Sequence, residues 1–504
     1  MLNDSILSLI TFVPTAGAFV VAFLPRRGKV IQWFTLLVTL TTFVLTLHLP
    51  AHFNYGQTGF QFEQDRAWIT SPNIRYHLGV DGISTWLVVL VGFLSILGVL
   101  ASWNAISTRT KEFYFLFLIQ QTAMLGVFVS LDMFLYYGFW ELSLVPMAIL
   151  IAMFGRNRGP QAAIKFFLYT FIPSALLLVA LLWLYSKTGT FDFVETQKFL
   201  SQYGALLSPQ ALWWVSLAFL AAFAVKVPVF PLHGWLADVF SEAPTAMAMV
   251  VAGKLGLYSI IRFNLGLFPE QSRQIAPLMI ALAAIGVLYG ALVALVQDDM
   301  KRLIAFSTVG HLSLILLGIF CFTVVGLNGA VYHVINHEFS GAAFLILLGI
   351  LYERYGTYEM SKYGGLAAKL PRMATLYIIT TLSLIGLPIL NGFVGEFLIL
   401  SSSFGVHPGW AIAATVTVIL NAGYMLLLIQ KVFFGPESHL VASHPHSDIV
   451  AREGFALVPA AVLMLVLGVA SPYWIRTIDT AVSRLAQNVA HVTSTLTTTI
   501  AEKR

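Results

Sequence analysis

The feature that most constrains this chain is a series of apolar blocks about twenty residues long, separated by short polar breaks. A helix needs roughly 20 apolar residues to cross about 30 Å of hydrocarbon. The chain has 504 residues, of which only 10% are charged, whereas a soluble domain carries about 25%. A water-facing surface cannot be dressed with so few. The alternating ten-residue segments of a membrane β-barrel are absent. The expected fold is therefore all-α and polytopic, with about 14 transmembrane helices.

The blocks lie near 5–24, 30–48, 83–103, 112–130, 131–151, 161–186, 211–240, 244–266, 275–297, 302–322, 327–353, 372–404, 409–434 and 454–476. The first lacks a basic leader and a small-residue cleavage site, so it reads as a span. Assigning alternate loops to the side of Arg26, Arg27 and Lys29 collects 15 basic residues there, against 9 opposite. The basic-rich side is expected in the cytoplasm, with both termini outside.

Several chemistries find no support. The single cysteine, Cys321, cannot build an iron–sulfur cluster, which takes about four ligands. No Walker motif and no GxGxxG between a strand and a helix appears. No basic, aromatic-interleaved patch suggests nucleic acid; the net charge of +5 follows the loop bias. His439, His444 and His446 cluster in one loop, but no cysteine or acid completes a metal set, and a solvated loop is the reading adopted. The Thr-rich tail, 478–504, reads as a surface or partner-contact helix.

The informative residues are the ionisable ones at membrane depth. Glu141, Lys226, Lys254, His311, His337 and Glu396 fall inside six of the proposed spans. Lys165 and Arg262 do as well, nearer the ends, where a long side chain can snorkel. A charge at the bilayer centre costs at least about 2.5–3.5 kcal/mol on insertion scales, so such residues usually face a protein interior and serve a function. The bland alternative is a set of buried ion pairs that fix helix register. Six groups on six helices are too many for that, because buried pairs add little stability after desolvation. Acids, lysines and histidines in sequence are what a proton relay requires, since each group's proton affinity responds to its neighbour's charge.

Two spans are interrupted: the seventh by Pro228, Pro231 and Gly234, the twelfth by Gly386, Pro388, Asn391 and Gly392. Broken helices survive at depth only where protein or a wet cavity satisfies the freed backbone. A pair of them in matching positions points to an ion site between inverted repeats. Glu141 and Lys226 are separated by the same interval as His311 and Glu396 (226 − 141 and 396 − 311), which implies a repeat offset of 170. The expected division is 1–110 for helices 1–3 and an external loop, 111–268 for a first inverted five-helix repeat, 269–436 for a second, and 437–504 for the last span and tail.

The run Phe230-Pro231-Leu232-His233-Gly234-Trp235-Leu236-Ala237-Asp238, continuing through Glu242-Ala243-Pro244-Thr245, resembles the signature of the antiporter-like subunits of respiratory complex I. So do Leu78-Gly79-Val80-Asp81-Gly82, Glu141-Leu142-Ser143-Leu144-Val145-Pro146, Asp299-Met300-Lys301-Arg302 with its continuation to Ser307, Asn336-His337, and Lys431-Val432-Phe433-Phe434-Gly435. Within that family the chain looks most like the M (chain 4) subunits, because Glu396 stands where the L and N subunits typically carry lysine. The segment Pro388-Ile389-Leu390-Asn391-Gly392 departs from the family's small polar run.

The resemblance implies a proton-translocating subunit of NADH:quinone oxidoreductase. Glu141 would pair with Lys226, the central proton carrier; Lys254, His311 and His337 would carry the relay on, and Glu396 would lie in the exit half. Asp81, Tyr289, Ser307 and Tyr424 would be polar supports. The chain would hold no cofactor or metal of its own, with NADH, FMN, iron–sulfur clusters and quinone in partner subunits. Its partners would be the other membrane subunits, including neighbouring antiporter-like subunits and a lateral helix, together with lipids. The setting would be a bacterial inner membrane. A cation/proton antiporter subunit, a membrane-bound hydrogenase subunit, a quinone-site enzyme and a structural scaffold are the competing readings.

Overall fold

The computed structural model describes residues 3–26, 28–251, 254–444 and 447–502, with side chains except at 250, 251 and 491–502. Arg27, His446, Lys503 and Arg504, used above in the loop and charge readings, lie outside the described residues. The helices are α1 (Ile6–Phe23), α2 (Val30–His52), α3 (Gly82–Ser102), α4 (Thr110–Val129), α5 (Met133–Phe154), α6 (Gly159–Thr188), α7 (Pro209–Lys226), α8 (Gly234–Glu242) and α9 (Thr245–Val251). They continue as α10 (Lys254–Ser259), α11 (Pro269–Leu295), α12 (Met300–Phe320), α13 (Val324–Tyr355), α14 (Pro371–Ile385), α15 (Asn391–Val406), α16 (Pro408–Phe433), α17 (Ala451–Val469) and α18 (Ser471–Glu502). Among the described residues thirteen spans are long and apolar enough to cross a membrane, and the interrupted α14–α15 pair supplies the fourteenth crossing. The polytopic all-α fold is as expected.

Burial sorts the helices into layers. α12 and α13 are buried almost throughout, whereas α1, α2 and α6 keep half or more of their residues at the surface. An apolar face turned outward on the outer helices costs nothing in lipid, so it needs no amphipathic pattern.

A β-hairpin was not foreseen. β1 (Gln61–Ile69) and β2 (Ile74–Val80) pair antiparallel in the stretch read as an external loop. His77 O accepts from Leu131 N at 2.9 Å, which ties the hairpin to the start of α5.

The start of α5 is built twice. Met133 N donates to Phe191 O at 2.8 Å and Phe193 N to Leu131 O at 2.8 Å; Met300 N donates to Tyr358 O at 2.9 Å and Met360 N to Asp298 O at 3.0 Å. Asp132 and Asp299 cap α5 and α12, and Gly189 and Gly356 end α6 and α13 in the left-handed region. Each pair is displaced by 167 residues (300 − 133, 360 − 193, 356 − 189), one helical turn short of the expected 170. The five crossings between them put the second copy on the opposite face. The register then slips: α7 ends at Lys226 and α14 at Ile385, an offset of 159 (385 − 226). Lys226 therefore precedes its break and Glu396 follows its own, so the two are not repeat-mates.

The tail also differs in detail from expectation. α18 turns a stripe of Ile478, Val482, Ala486 and Val489 into the body of its own chain. Trp86 Nε1 donates to Thr477 Oγ1 at 2.7 Å, and Arg273 Nε to Val489 O at 2.8 Å.

Candidate functional site: a buried ionisable line

Lys226 occupies the last turn of α7, where a cation complements the exposed carbonyl end of a helix. The break that follows is backed by protein: Trp235 Nε1 donates to Val225 O at 3.0 Å. The Lys226 ammonium is buried, donates to Ser143 Oγ at 3.1 Å and sits 4.7 Å over the Trp140 ring. Ser143 is available because α5 kinks there, between Met133–Leu142 and Leu144–Phe154.

The expected ion pair between Glu141 and Lys226 is not a direct contact. Glu141 is half-buried and accepts from Ser174 Oγ on α6; among the described residues it makes no salt bridge. Successive helical side chains diverge by about 100°. Glu141 thus faces α6 while Trp140 and Ser143, on either side of it, face Lys226.

Lys254 is fully buried at the start of α10, and its Nζ lies 3.2 Å from Glu338 Oε2 on α13. Glu338 is a partner not anticipated for Lys254 from the sequence. α10 comes close to α7 because Gly256 has no side chain; a Cβ there would stand 2.8 Å from Phe223 O and 2.7 Å from Val227 Cγ2.

His311 on α12, His333 and His337 on α13, and Glu396 on α15 form one buried cluster. His311 Nδ1 is 3.4 Å from Glu396 Oε1 and 3.4 Å from His333 Nε2, and the His337 ring centroid is 4.9 Å from that of His311. The donor atoms of His311, His333 and Glu396 all lie within 4.8 Å of one another, close enough to share a proton or a cation. Gly386 makes room for the carboxylate: it ends α14 at φ +79°, and a Cβ there would run into Glu396 Oε2.

Asn391, in the segment that departs from the family pattern, anchors the second break. Its Nδ2 donates to Asn336 O at 3.0 Å, Asn336 Nδ2 returns a bond to Asn391 O at 2.8 Å, and Ser383 Oγ donates to Asn391 Oδ1 at 2.5 Å. α14, α15 and α13 are thereby locked at the cluster.

The remaining charges resolve into pairs. Arg262 does not snorkel: it is buried and its Nη2 lies 2.8 Å from Asp81 Oδ2. Lys165 donates to Asp238 at 2.6 Å, half-exposed and outside the buried line. Tyr424 donates to Ser307 at 2.8 Å, and Tyr289 packs against the His233 ring at 4.7 Å. His439 is exposed and His444 is bonded at Nδ1 to Leu440 O, 2.9 Å away.

Two residues of the line were missed. His333 and Glu338 stand in the block 327–353, and the rule that selected Glu141 and Glu396 selects Glu338 equally. His333 and His337, four residues apart, share a helix face, which is a legible signal.

Comparison with known proteins agrees with this architecture. Residues 130–421 match the family described as NADH:quinone oxidoreductase/Mrp antiporter, TM, and residues 9–131 match NADH-ubiquinone oxidoreductase chain 4, amino terminus. The chain is 39% identical to NADH-quinone oxidoreductase subunit M of Rhodobacter capsulatus, covering 96% of this chain and 97% of the relative. It is 35% identical to NADH-ubiquinone oxidoreductase chain 4 of Arabidopsis thaliana, covering 96% and 97%. Among solved structures it resembles a chain of respiratory complex I from Thermus thermophilus, with TM-score 0.87, 28% identity, and 96% and 99% coverage. A chain of the Mrp complex from Dietzia sp. shares the fold, with TM-score 0.83, 21% identity, and 97% and 99% coverage. Two family matches that together run from residue 9 to 421, and relatives aligned over nearly their whole length, lead to one conclusion: the chain belongs to the NADH:quinone oxidoreductase/Mrp antiporter family, as an antiporter-like membrane subunit of the M (chain 4) type of respiratory complex I.

Proposed function

We propose that this subunit moves protons from the cytoplasm to the outside along Glu141, Lys226, Lys254, His311, His337 and Glu396. The observation that carries the reading is the buried line itself: ionisable groups on α7, α10, α12, α13 and α15, brought together inside a largely apolar helical core. Glu141 begins the line at its half-exposed end. Lys226 is the central carrier, Lys254 and the histidines continue the path, and Glu396 delivers the proton outward. Redox chemistry in partner subunits, which would hold NADH, FMN, iron–sulfur clusters and quinone, drives the movement. The coupling reaches this chain through neighbouring antiporter-like subunits and a lateral helix, in a lipid bilayer.

The energy required is modest. Moving one charge against 100 mV costs about 2.3 kcal/mol, and a pKa change of one unit is worth about 1.4 kcal/mol. Changes of fewer than two units at successive carriers suffice. The basic-loop bias supports both termini outside, and the bacterial subunit M relatives support a bacterial inner membrane. The repeated capping unit supports the division into repeats 111–268 and 269–436.

The test is proton uptake into vesicles carrying the reconstituted complex, driven by NADH. Lys226→Ala and Glu396→Ala are expected to abolish pumping with the complex assembled, and pumping by the unaltered complex is expected to be independent of sodium. Unimpaired pumping in both variants, or a sodium requirement, overturns the reading.

A further inference from the structure

We infer that Glu338 is itself a proton carrier, standing between Lys254 and the histidine cluster; the inference rests on the relay reading above. Lys254 and Glu338 are 0% and 4% exposed, and their N···O separation is 3.2 Å. A brace between helices is the simpler role for such a pair. Two observations go against it. A buried ion pair adds little to stability once both charges are desolvated. The pair is also left incomplete: among the described residues Glu338 Oε1 has no hydrogen-bond partner, and neither ring nitrogen of the adjacent His337 has one. Unpaired polar atoms in a packed interior need a reason to persist.

Position supplies that reason. Lys254 lies on α10, which packs on the Lys226 end of α7 through Gly256. His311, 4.9 Å from His337 between ring centroids, lies beside Glu396. Glu338 and His337 are consecutive on α13 and so point about 100° apart, one toward Lys254 and the other toward His311. The two side chains thus carry the path across the width of one helix.

The step conserves charge and atoms. An N–H bond of the Lys254 ammonium breaks and an O–H bond forms on Glu338, converting the ion pair to a neutral amine and acid. The Glu338 O–H then breaks as an N–H forms on His337, with a water bridging the gap that lacks a direct bond. Lys254 regains its proton from the Lys226 side.

The experiment uses the whole complex in vesicles, with Glu338→Gln, Glu338→Asp and Lys226→Ala compared for protons moved per NADH. Infrared difference spectra are recorded during turnover. Glu338→Gln is expected to lower pumping at least about tenfold with the complex assembled and to remove a carboxylic-acid C=O band; Glu338→Asp restores both in part. Should Glu338→Gln fail to assemble, the double variant Lys254→Met/Glu338→Leu removes both charges together. A carrier role predicts an assembled complex that does not pump; because Lys254 is removed too, normal pumping in it overturns the inference and the relay together. Wild-type pumping in Glu338→Gln with loss in Lys226→Ala overturns the role of Glu338 alone. Wild-type pumping in both overturns the relay as well.

Discussion

Lys226 and Glu141 address different serines: the ammonium donates to Ser143 Oγ at 3.1 Å, and the carboxylate accepts from Ser174. The two charges are therefore not locked to each other, and each is held by a neutral hydroxyl. A carrier must release its proton, and a hydroxyl partner restrains it less than a direct carboxylate would.

From this follows an effect of Ser143→Ala. The buried ammonium loses its one side-chain hydrogen bond among the described residues, and bonds to charged groups are worth about 1.5–3 kcal/mol. Pumping should fall about tenfold, equivalent to about 1.4 kcal/mol. Protons moved per NADH would measure it, and an unchanged ratio would count against Lys226 as the central carrier.

Gly386→Ala should damage the second break. The residue sits at φ +79°, and the added methyl meets the Glu396 carboxylate. A non-glycine residue held in such a region costs about 1–3 kcal/mol. A lower melting temperature of the detergent-solubilised complex is expected, with weaker pumping because Glu396 is displaced. Gly405→Ala, whose added Cβ would meet nothing within 4 Å, serves as the control.

Asp81 and Arg262 form a buried pair at 2.8 Å, with the guanidinium 4.9 Å from the Phe60 ring. Removing one partner of a buried pair costs about 3–5 kcal/mol because the other charge is stranded. Asp81→Ala should therefore lower the yield of assembled complex, while Asp81→Ala/Arg262→Met recovers most of it. Equal yields from the single and double variants would refute a structural role for the pair.

The hairpin should loosen as pH rises. Burial disfavours the protonated His77 ring, but the hydrogen bond and charge of Asp192, with Glu63 at 3.2 Å, outweigh it and hold the pKa above the ordinary 6.5. A group whose folded pKa is raised stabilises fully below its unfolded value, about 6.5, and that contribution is lost as pH rises through the folded value. Amide hydrogen exchange over 61–80, corrected for intrinsic rates, should speed up across that window. His77→Gln should flatten the dependence, and a hairpin that tightens with pH would contradict the assignment.

Much of the fold was legible because a bilayer permits few solutions. An apolar block of fixed length has to be a helix, and Pro228 and Gly386 mark where the helices break. The hairpin was not legible: Gln61–Ile69 carries polar residues on both faces, so its strand pairing has no period-two apolar signal. Asn391 looked like a neutral departure from the family pattern, yet it bonds to Asn336 and Ser383.

Block length and residue type already fix how often the chain crosses the membrane and which ionisable residues are carried into it, because a charge in hydrocarbon is costly wherever it falls. The partners emerge from the packed fold: Ser143 for Lys226, Glu338 for Lys254, His311 and His333 for Glu396, and Asp81 for Arg262. Each of these contacts joins residues that are distant along the chain. They depend on helix rotation and on the 167-residue register of the repeat, which slips before the breaks; helix packing sets both, and residue spacing sets neither.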